Sequence, residues 1–531
     1  MVDTLSKLND LMANGNFAKA EILLFDLLQK QPENYNFNKN LGMALLAQKK
    51  YNGALTCFEK CYFKDKNDFD VVLNLSFLFL KLQDHEHSIN FANEAIKLNP
   101  EISGAYQNLA TCRLELLEFE EAKKNAEKVI ELRGGILSEE FLMYSDFINL
   151  YADILLAKKD IEEFVEFAEK ILDTGVFVGD LFGKLLKHDK NKIKPKYIQV
   201  LENTTKFLDE FKNNAEKNAN IAIAHICLAE YHQSNNKTLS EENYIKANEH
   251  ISSMQRTPLY ARQKMYLNLM DYFKDFNVST IANQINPEKG KGLIFIIGMP
   301  RSGTTLTESI LATANNIKPG GEKVFFTNNL WTIFSELSKG KVINPEFIED
   351  LGNRYLDTIA LQRANSLFFI DKLPANFLFF KFIQLCFPKA KFVHTLRDPW
   401  DNAISLFKAN FQESVIYSSS FFGIANEYSN YQALMRFWKK MYGENVFIDI
   451  EYEKLVSDTA STTKNLWDYC NLEGEFSDEK RKNHYANTAS QQQVSKDIYQ
   501  TSLKKQEFQN FKDKFFDDLD QQNQFWLKKG F

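Results

Sequence analysis

Small side chains recur every 34 residues along the first quarter of this chain, at Ala20, Ala54, Ser88 and Ala122. Bulky Leu24 and Phe58 share the lattice and give way to Ala92 and Ala126 in later units. Phe17, Tyr51 and Phe119 keep the same step, as do Leu41-Gly42, Leu75-Ser76 and Leu109-Ala110. Pro32 and Pro100 stand two periods apart, with Lys66 and Gly134 in the intervening places. A fixed period constrains the fold more than composition can, because each unit is one supersecondary element that cannot bury its own apolar face. Units must stack on their neighbours, and the stack leaves a concave groove.

The pattern resembles the tetratricopeptide repeat (TPR), two antiparallel helices per unit with small residues at the helix crossings and Pro after the second helix. The signal covers three and a half units up to about residue 134, and a further helix pair from Ser138 to Val176, with Phe164, Phe167 and Ala168, continues it in degenerate register. The resemblance implies that the groove docks a protein or peptide. Residues 177–285 show helical periodicity in Tyr197 to Phe211, Ile221 to Tyr231, Glu241 to Ile251 and Tyr260 to Phe276, and read as a helical connector. The run from Asn286 to Gly292 is turn-forming and opens a third region, 286–531.

That region begins with Leu293 to Ile297, apolar throughout, as in a strand buried on both faces. Gly298, Met299, Pro300, Arg301, Ser302, Gly303, Thr304 and Thr305 follow, and then a helical pattern carrying Leu306, Ile310 and Leu311. Strand, glycine-bracketed loop and helix N-terminus together aim backbone N–H groups and the helix dipole at an anion. The nucleotide loop G-x-x-x-x-G-K-S/T needs a Lys after its second glycine; Thr304 stands there, which argues against a triphosphate. Arg301 supplies the cation. Further apolar strands, Leu367 to Ile370, Phe392 to Leu396 and Val446 to Ile450, alternate with helical stretches, so the expected fold is an α/β domain with a parallel central sheet whose ligands bind at strand C-terminal ends.

Pro-Arg-Ser-Gly-Thr-Thr after an apolar strand resembles the 5′-phosphosulfate loop of sulfotransferases, which hold 3′-phosphoadenosine 5′-phosphosulfate (PAPS) and release PAP. The resemblance implies that Pro300, Arg301, Ser302, Gly303, Thr304 and Thr305 bind cofactor. Arg397-Asp398-Pro399 followed by Ser405 resembles the family's 3′-phosphate segment; a planar guanidinium and a hydroxyl suit such capture. His394, inside the strand, reads as a core histidine.

Pro319-Gly320-Gly321-Glu322 resembles the catalytic-base segment of tyrosylprotein sulfotransferases, which makes Glu322 the base or, in the blander reading, a solvated surface residue. Lys372, in Asp371-Lys372-Leu373-Pro374, matches the family Lys that neutralises the leaving group; an ion pair with Asp371 is the alternative. Tyr452 matches a nucleotide-contacting Tyr, or packs as an ordinary amphipathic residue. The stretch from Thr488 to Lys505 resembles the loop that closes over the cofactor, which implies a catalytic Ser490 and cofactor contacts from Lys496 and Lys505. A Trp commonly follows that last basic residue, and Gln506 stands in its place.

The joint layout resembles bacterial fusions of TPR arrays with sulfotransferases. Its implied activity is sulfuryl transfer to a hydroxyl, with peptidyl tyrosine, carbohydrate or a small metabolite as acceptor. The competing readings are a P-loop phosphotransferase and a TPR scaffold with a non-catalytic nucleotide-binding domain. At 531 residues the chain has room for two to four domains. A net charge of −6 leaves no footprint for nucleic acid. Six scattered cysteines fit core packing in a reducing compartment, and Cys57 and Cys61, on one helix face, lack the partners a metal needs. The expectation is a cytoplasmic enzyme with no metal, no signal peptide and no membrane span, compatible with a homo-oligomer.

Overall fold

The computed structural model describes residues 2–207, 215–254, 258–330, 343–409, 411, 415–485, 497–498 and 506–531. Ser490, Lys496 and Lys505 lie outside them. The chain divides into two compact units, Met1–Phe164 and Val165–Phe531.

The first unit is a TPR-like helical array. Helices start at Phe17, Tyr51, His85 and Phe119, and the alternating set starts at Tyr35, Phe69 and Ser103, so both series keep the 34-residue step. Starts are fixed locally: Asn34 and Asp68 accept the N–H of Phe37 and Val71 at 3.1 and 3.2 Å, capping Tyr35–Ala47 and Phe69–Lys81. Where these helices cross their neighbours the small residues are needed. A Cβ on Gly42 would stand 2.9 Å from the Phe58 ring. One period on, the crossing is polar, and Ser76 Oγ donates to the Ser88 carbonyl at 3.0 Å while Ser88 Oγ donates to the Ser76 carbonyl at 2.8 Å. Ala20, Leu24, Ala54 and Phe58 are wholly buried in one core. The degenerate pair past residue 138 forms Ser145–Lys158 and Ile161–Asp173.

The unit boundary falls inside Ile161–Asp173, and the second unit goes on through helices Gly179–His188, Pro195–Phe207, Ala215–His232, Lys237–Ser253 and Leu259–Asp275. The later ones share a single core with the sheet: Ala229, Tyr244, Tyr266 and Phe273 pack in the same cluster as Phe295, Phe392 and Trp438. Phe273 meets the Trp438 ring edge-on at 5.2 Å. Periodicity identifies such helices but does not say which core receives their apolar face.

The sheet is β1 (Leu293–Gly298), β2 (Ile317–Pro319), β3 (Phe368–Asp371), β4 (Lys391–Leu396) and β5 (Ile448–Glu451), all parallel in the order β2-β3-β1-β4-β5. β1 is buried along its length, with Ile294 and Ile296 facing Leu306 and Ile310 on one side and Phe295 facing Phe392 and Tyr355 on the other. That explains its unbroken apolar run. β2 escapes sequence reading because it has only three residues and ends in Pro, which an edge strand tolerates. Among the described residues, no helix is long and apolar enough to cross a membrane.

Candidate active site

The C-terminal ends of β1, β2, β3 and β4 and the start of the helix after β5 bring together most of the expected residues. After β1, Gly298 (φ +149°) passes so close to β4 that a Cβ would lie 2.6 Å from the Thr395 carbonyl. Gly303 (φ +102°) begins helix Thr304–Leu311, and a Cβ there would meet the Tyr452 ring at 2.5 Å. Arg301 takes the left-handed region at φ +68°, which a side chain adopts only when its surroundings hold it there. Arg397 Nη1 donates to the Arg301 carbonyl at 3.0 Å, and Asn402 Nδ2 donates to the Pro300 carbonyl at 3.0 Å. Ser302 Oγ donates to the Met299 carbonyl at 2.7 Å and lies 2.6 Å from Thr395 Oγ1. Thr304 and Thr305 are buried in the first helical turn.

After β4, Asp398 caps helix Pro399–Phe407 by accepting the Asp401 N–H at 2.9 Å, with Pro399 in the first turn. This helix carries Ser405 to the loop, where its hydroxyl accepts from Arg301 Nε at 3.1 Å. The Arg397 guanidinium lies over the Tyr452 ring, 4.4 Å from its centre. Tyr452 therefore acts as a wedge between Gly303 and Arg397. Arg301, Arg397 and Ser405, separated by up to 104 positions in sequence, form one cluster. The cluster, together with Thr304 and Thr305, offers N–H and O–H donors, a donor set that fits anionic groups such as the phosphates of PAPS, while Ser302 gives both its N–H and its O–H to the Met299 carbonyl. His394 is buried, with Nδ1 2.7 Å from Asp449 Oδ1 and Nε2 bonded to the Tyr431 hydroxyl. Burial holds its pKa below the usual histidine value despite the Asp449 bond.

At the ends of β2 and β3, Lys372 Nζ pairs with Glu322 Oε1 at 2.6 Å. The lysine side chain is fully buried and the glutamate 41% exposed, so the carboxylate is the member that can reach a molecule in solution. The glycines before it have separate duties. A Cβ on Gly320 would strike the Phe369 ring at 2.3 Å, and Gly321 takes φ +67° to turn the chain. Asp371 is not the partner of Lys372. It accepts from the Tyr355 hydroxyl at 2.9 Å and from Asn376 Nδ2 at 3.3 Å. Burial pushes its carboxyl up to about 7 against the Tyr355 bond and the charge and backbone N–H of Lys323.

Sequence reasoning missed Glu308. It lies one turn into the helix after the loop, wholly buried, and its Oε1 accepts the Gly321 N–H at 3.1 Å. Burial alone would raise its carboxyl, but His484, the Lys372 charge and the Gly321 N–H outweigh burial and hold it below the usual carboxylate range. Among the described residues, no group of three or more His, Cys, Asp or Glu side chains is placed to hold a metal ion.

Residues 294–478 match the profile of the Sulfotransferase family, and residues 69–102 match that of the tetratricopeptide repeat. An uncharacterized protein of Aquifex aeolicus is 29% identical over 280 residues, which cover 50% of this chain and 36% of that protein. A STIP1 homolog of Dictyostelium discoideum is 33% identical over 94 residues, 18% of this chain and 17% of that protein. The match thus spans about a third of the first relative's length and less than a fifth of the second's. Among solved structures, a tetratricopeptide repeat protein from Parabacteroides merdae is 18% identical, covering 47% of this chain and 92% of its own, with a TM-score of 0.30.

Proposed function

We propose that this chain, a TPR array joined to a sulfotransferase-family domain, moves the sulfuryl group of PAPS to the hydroxyl of a peptidyl tyrosine presented by the array. The observation that carries the reading is the cluster of Arg301, Arg397 and Ser405 beside the β1 loop. Two motifs, each suited to an anion and remote in sequence, meet at hydrogen-bond distance. We read the pair as serving one nucleotide with phosphates on both sides of its ribose rather than a triphosphate, for which the loop lacks the lysine.

In this reading Arg301, Ser302, Gly303, Thr304 and Thr305 hold the 5′-phosphosulfate, and Arg397 with Ser405 holds the 3′-phosphate. Lys496 and Lys505 add cofactor contacts from outside the described residues. PAPS supplies an activated sulfuryl group whose S–O bond to phosphate breaks as the acceptor oxygen bonds to sulfur, leaving PAP. Glu322 takes the acceptor proton. Lys372 and Ser490 stabilise the charge that grows on the leaving oxygen. Work of this kind is chiefly positioning and electrostatics. The glycine-glycine-glutamate turn and the groove of a repeat array both favour an extended peptide as acceptor.

A transfer assay with labelled PAPS and tyrosine-containing peptides, run beside glycans, tests this. Glu322→Gln should lower kcat by about 10²- to 10⁴-fold while PAP affinity holds. Unaltered turnover would remove Glu322 from the role of base, and sulfation of glycans alone would overturn the acceptor.

A further inference from the structure

The first repeat carries an apolar face that the later repeats lack. Helix Phe17–Lys30 turns Ala20 and Leu24 into the core and leaves Ala18, Ile22 and Phe25 exposed on its other side. Their spacing of four and then three sets them in one stripe. Ile22 is 66% exposed and Phe25 49%. One exposed apolar side chain means little, but a stripe of them is a face without a partner. The 34-residue lattice supplies the control. The place of Ile22 is taken by Thr56, Asn90 and Lys124 in the next three units, and that of Phe25 by Glu59, Asn93 and Glu127. Repeats that show this face to water make it polar, so stacking alone does not call for Ile22 and Phe25. Gln29 is the next place along the stripe, and one period after it stands Phe63, 79% exposed.

We infer that this face pairs with the same face of a second copy of the chain, the two Phe17–Lys30 helices lying antiparallel across a two-fold axis. Charge singles out the second copy as occupant. Lys19 and Asp26 are seven residues apart and so stand on one flank of the stripe; both are exposed, and neither has an ion pair among the described residues. In an antiparallel two-fold pair each flank meets its own copy with the direction reversed. Lys19 of one copy then faces Asp26 of the other, and the contact occurs twice. The opposite flank adds no loose charge, because Glu21 is already paired with Lys50 at 2.6 Å and Leu28 packs against the array core. The face is therefore complementary to itself, as a two-fold interface requires. One helix from each copy makes a small interface, which places the association in the transient class with a micromolar Kd. The pairing is independent of the transfer reaction, so either can fail while the other stands.

Sedimentation velocity of the full chain over about 1 to 300 µM, the range a small interface calls for, reads the association directly. The wild type should pass from monomer to dimer within it. Phe25→Ser removes an exposed side chain from the centre of the face and should weaken the dimer about tenfold or more. Lys19→Glu and Asp26→Lys should each weaken it about three- to tenfold, because each sets like charges together at both contacts. The double variant Lys19→Glu/Asp26→Lys reverses both ends of the flank at once and should return to within about twofold of the wild type. Thermal unfolding of the four variants should match the wild type measured as monomer, since none of the three side chains is buried. A chain that stays monomeric throughout, a dimer indifferent to Phe25→Ser, or a double reversal no tighter than the single ones would overturn the pairing.

Discussion

The repeat array and the region around the β1 loop bury their residues by different rules. In the array, buried positions are set by the period, and the side chains there are mostly Ala, Leu, Val and Phe whose contacts lie in adjacent helices. Around the β1 loop the buried set includes Ser302, Thr304, Thr305, Glu308, Asp371, Lys372 and Asn402, all 6% exposed or less. Polar groups are costly to bury unless partnered, so a domain that places them together at the ends of its strands is built around something other than stability. The array stores its stability in repeated apolar contacts. The sheet domain carries a charge arrangement that its apolar core has to support.

Variants can break this division. Phe58→Ala, in the array core, should cost about 3–5 kcal/mol in the unfolding of that unit and leave the Kd for adenosine 3′,5′-bisphosphate unchanged. Chemical unfolding and calorimetric titration of the same variant check both halves, and a change in Kd would mean that the two regions do not divide labour in this way. Arg397→Ala should have the opposite profile: little change in unfolding, and a loss of about 1.5–3 kcal/mol in affinity for the bisphosphate, the range for hydrogen bonds to charged groups. An equal loss for adenosine 5′-monophosphate would sever Arg397 from the 3′-phosphate.

The third variant sharpens the comparison by pH. Burial raises the Asp371 carboxyl from 3.8 to about 7 in the folded chain. The folded state therefore holds this proton more tightly than the unfolded state does. The contribution is fully present below about pH 4 and is lost as pH rises through about 7. Asp371→Asn should remove up to about 1.4 kcal/mol per pH unit of slope from the stability profile across that window. Unfolding series at several pH values read it directly, and an unchanged slope would mean that Asp371 is already ionised within its ring of partners.

The same contrast explains what the sequence made visible. The 34-residue step survived into helix starts at Phe17, Tyr51, His85 and Phe119 because a stacked array repeats its contacts wherever it repeats its residues. The β1 strand and loop were legible because an apolar run ending in paired glycines has few other folds. Arg397 and Ser405 could be paired by their spacing on Asp398-Pro399, a local helix-start signal. Glu308 could not be found this way. A glutamate in a short helix reads as solvent-facing, and only the third dimension places Gly321 and His484 against it. The partner of Lys372 was hidden for the same reason: Asp371 is its neighbour in the chain, but alternation along β3 turns that carboxylate toward Tyr355. The shared core of the helices from residue 215 onward with the sheet was also invisible, since amphipathic periodicity names a face and not its partner.

The claim at the centre is that one pocket holds both phosphate ends of a single adenosine nucleotide. Calorimetric titration of the full chain with adenosine 3′,5′-bisphosphate, adenosine 5′-monophosphate and ATP with Mg²⁺ tests it most directly. The account predicts that the bisphosphate binds about tenfold or more tightly than either of the others, the equivalent of one charged hydrogen bond or more. Equal affinities, or tighter binding of ATP with Mg²⁺, would contradict it.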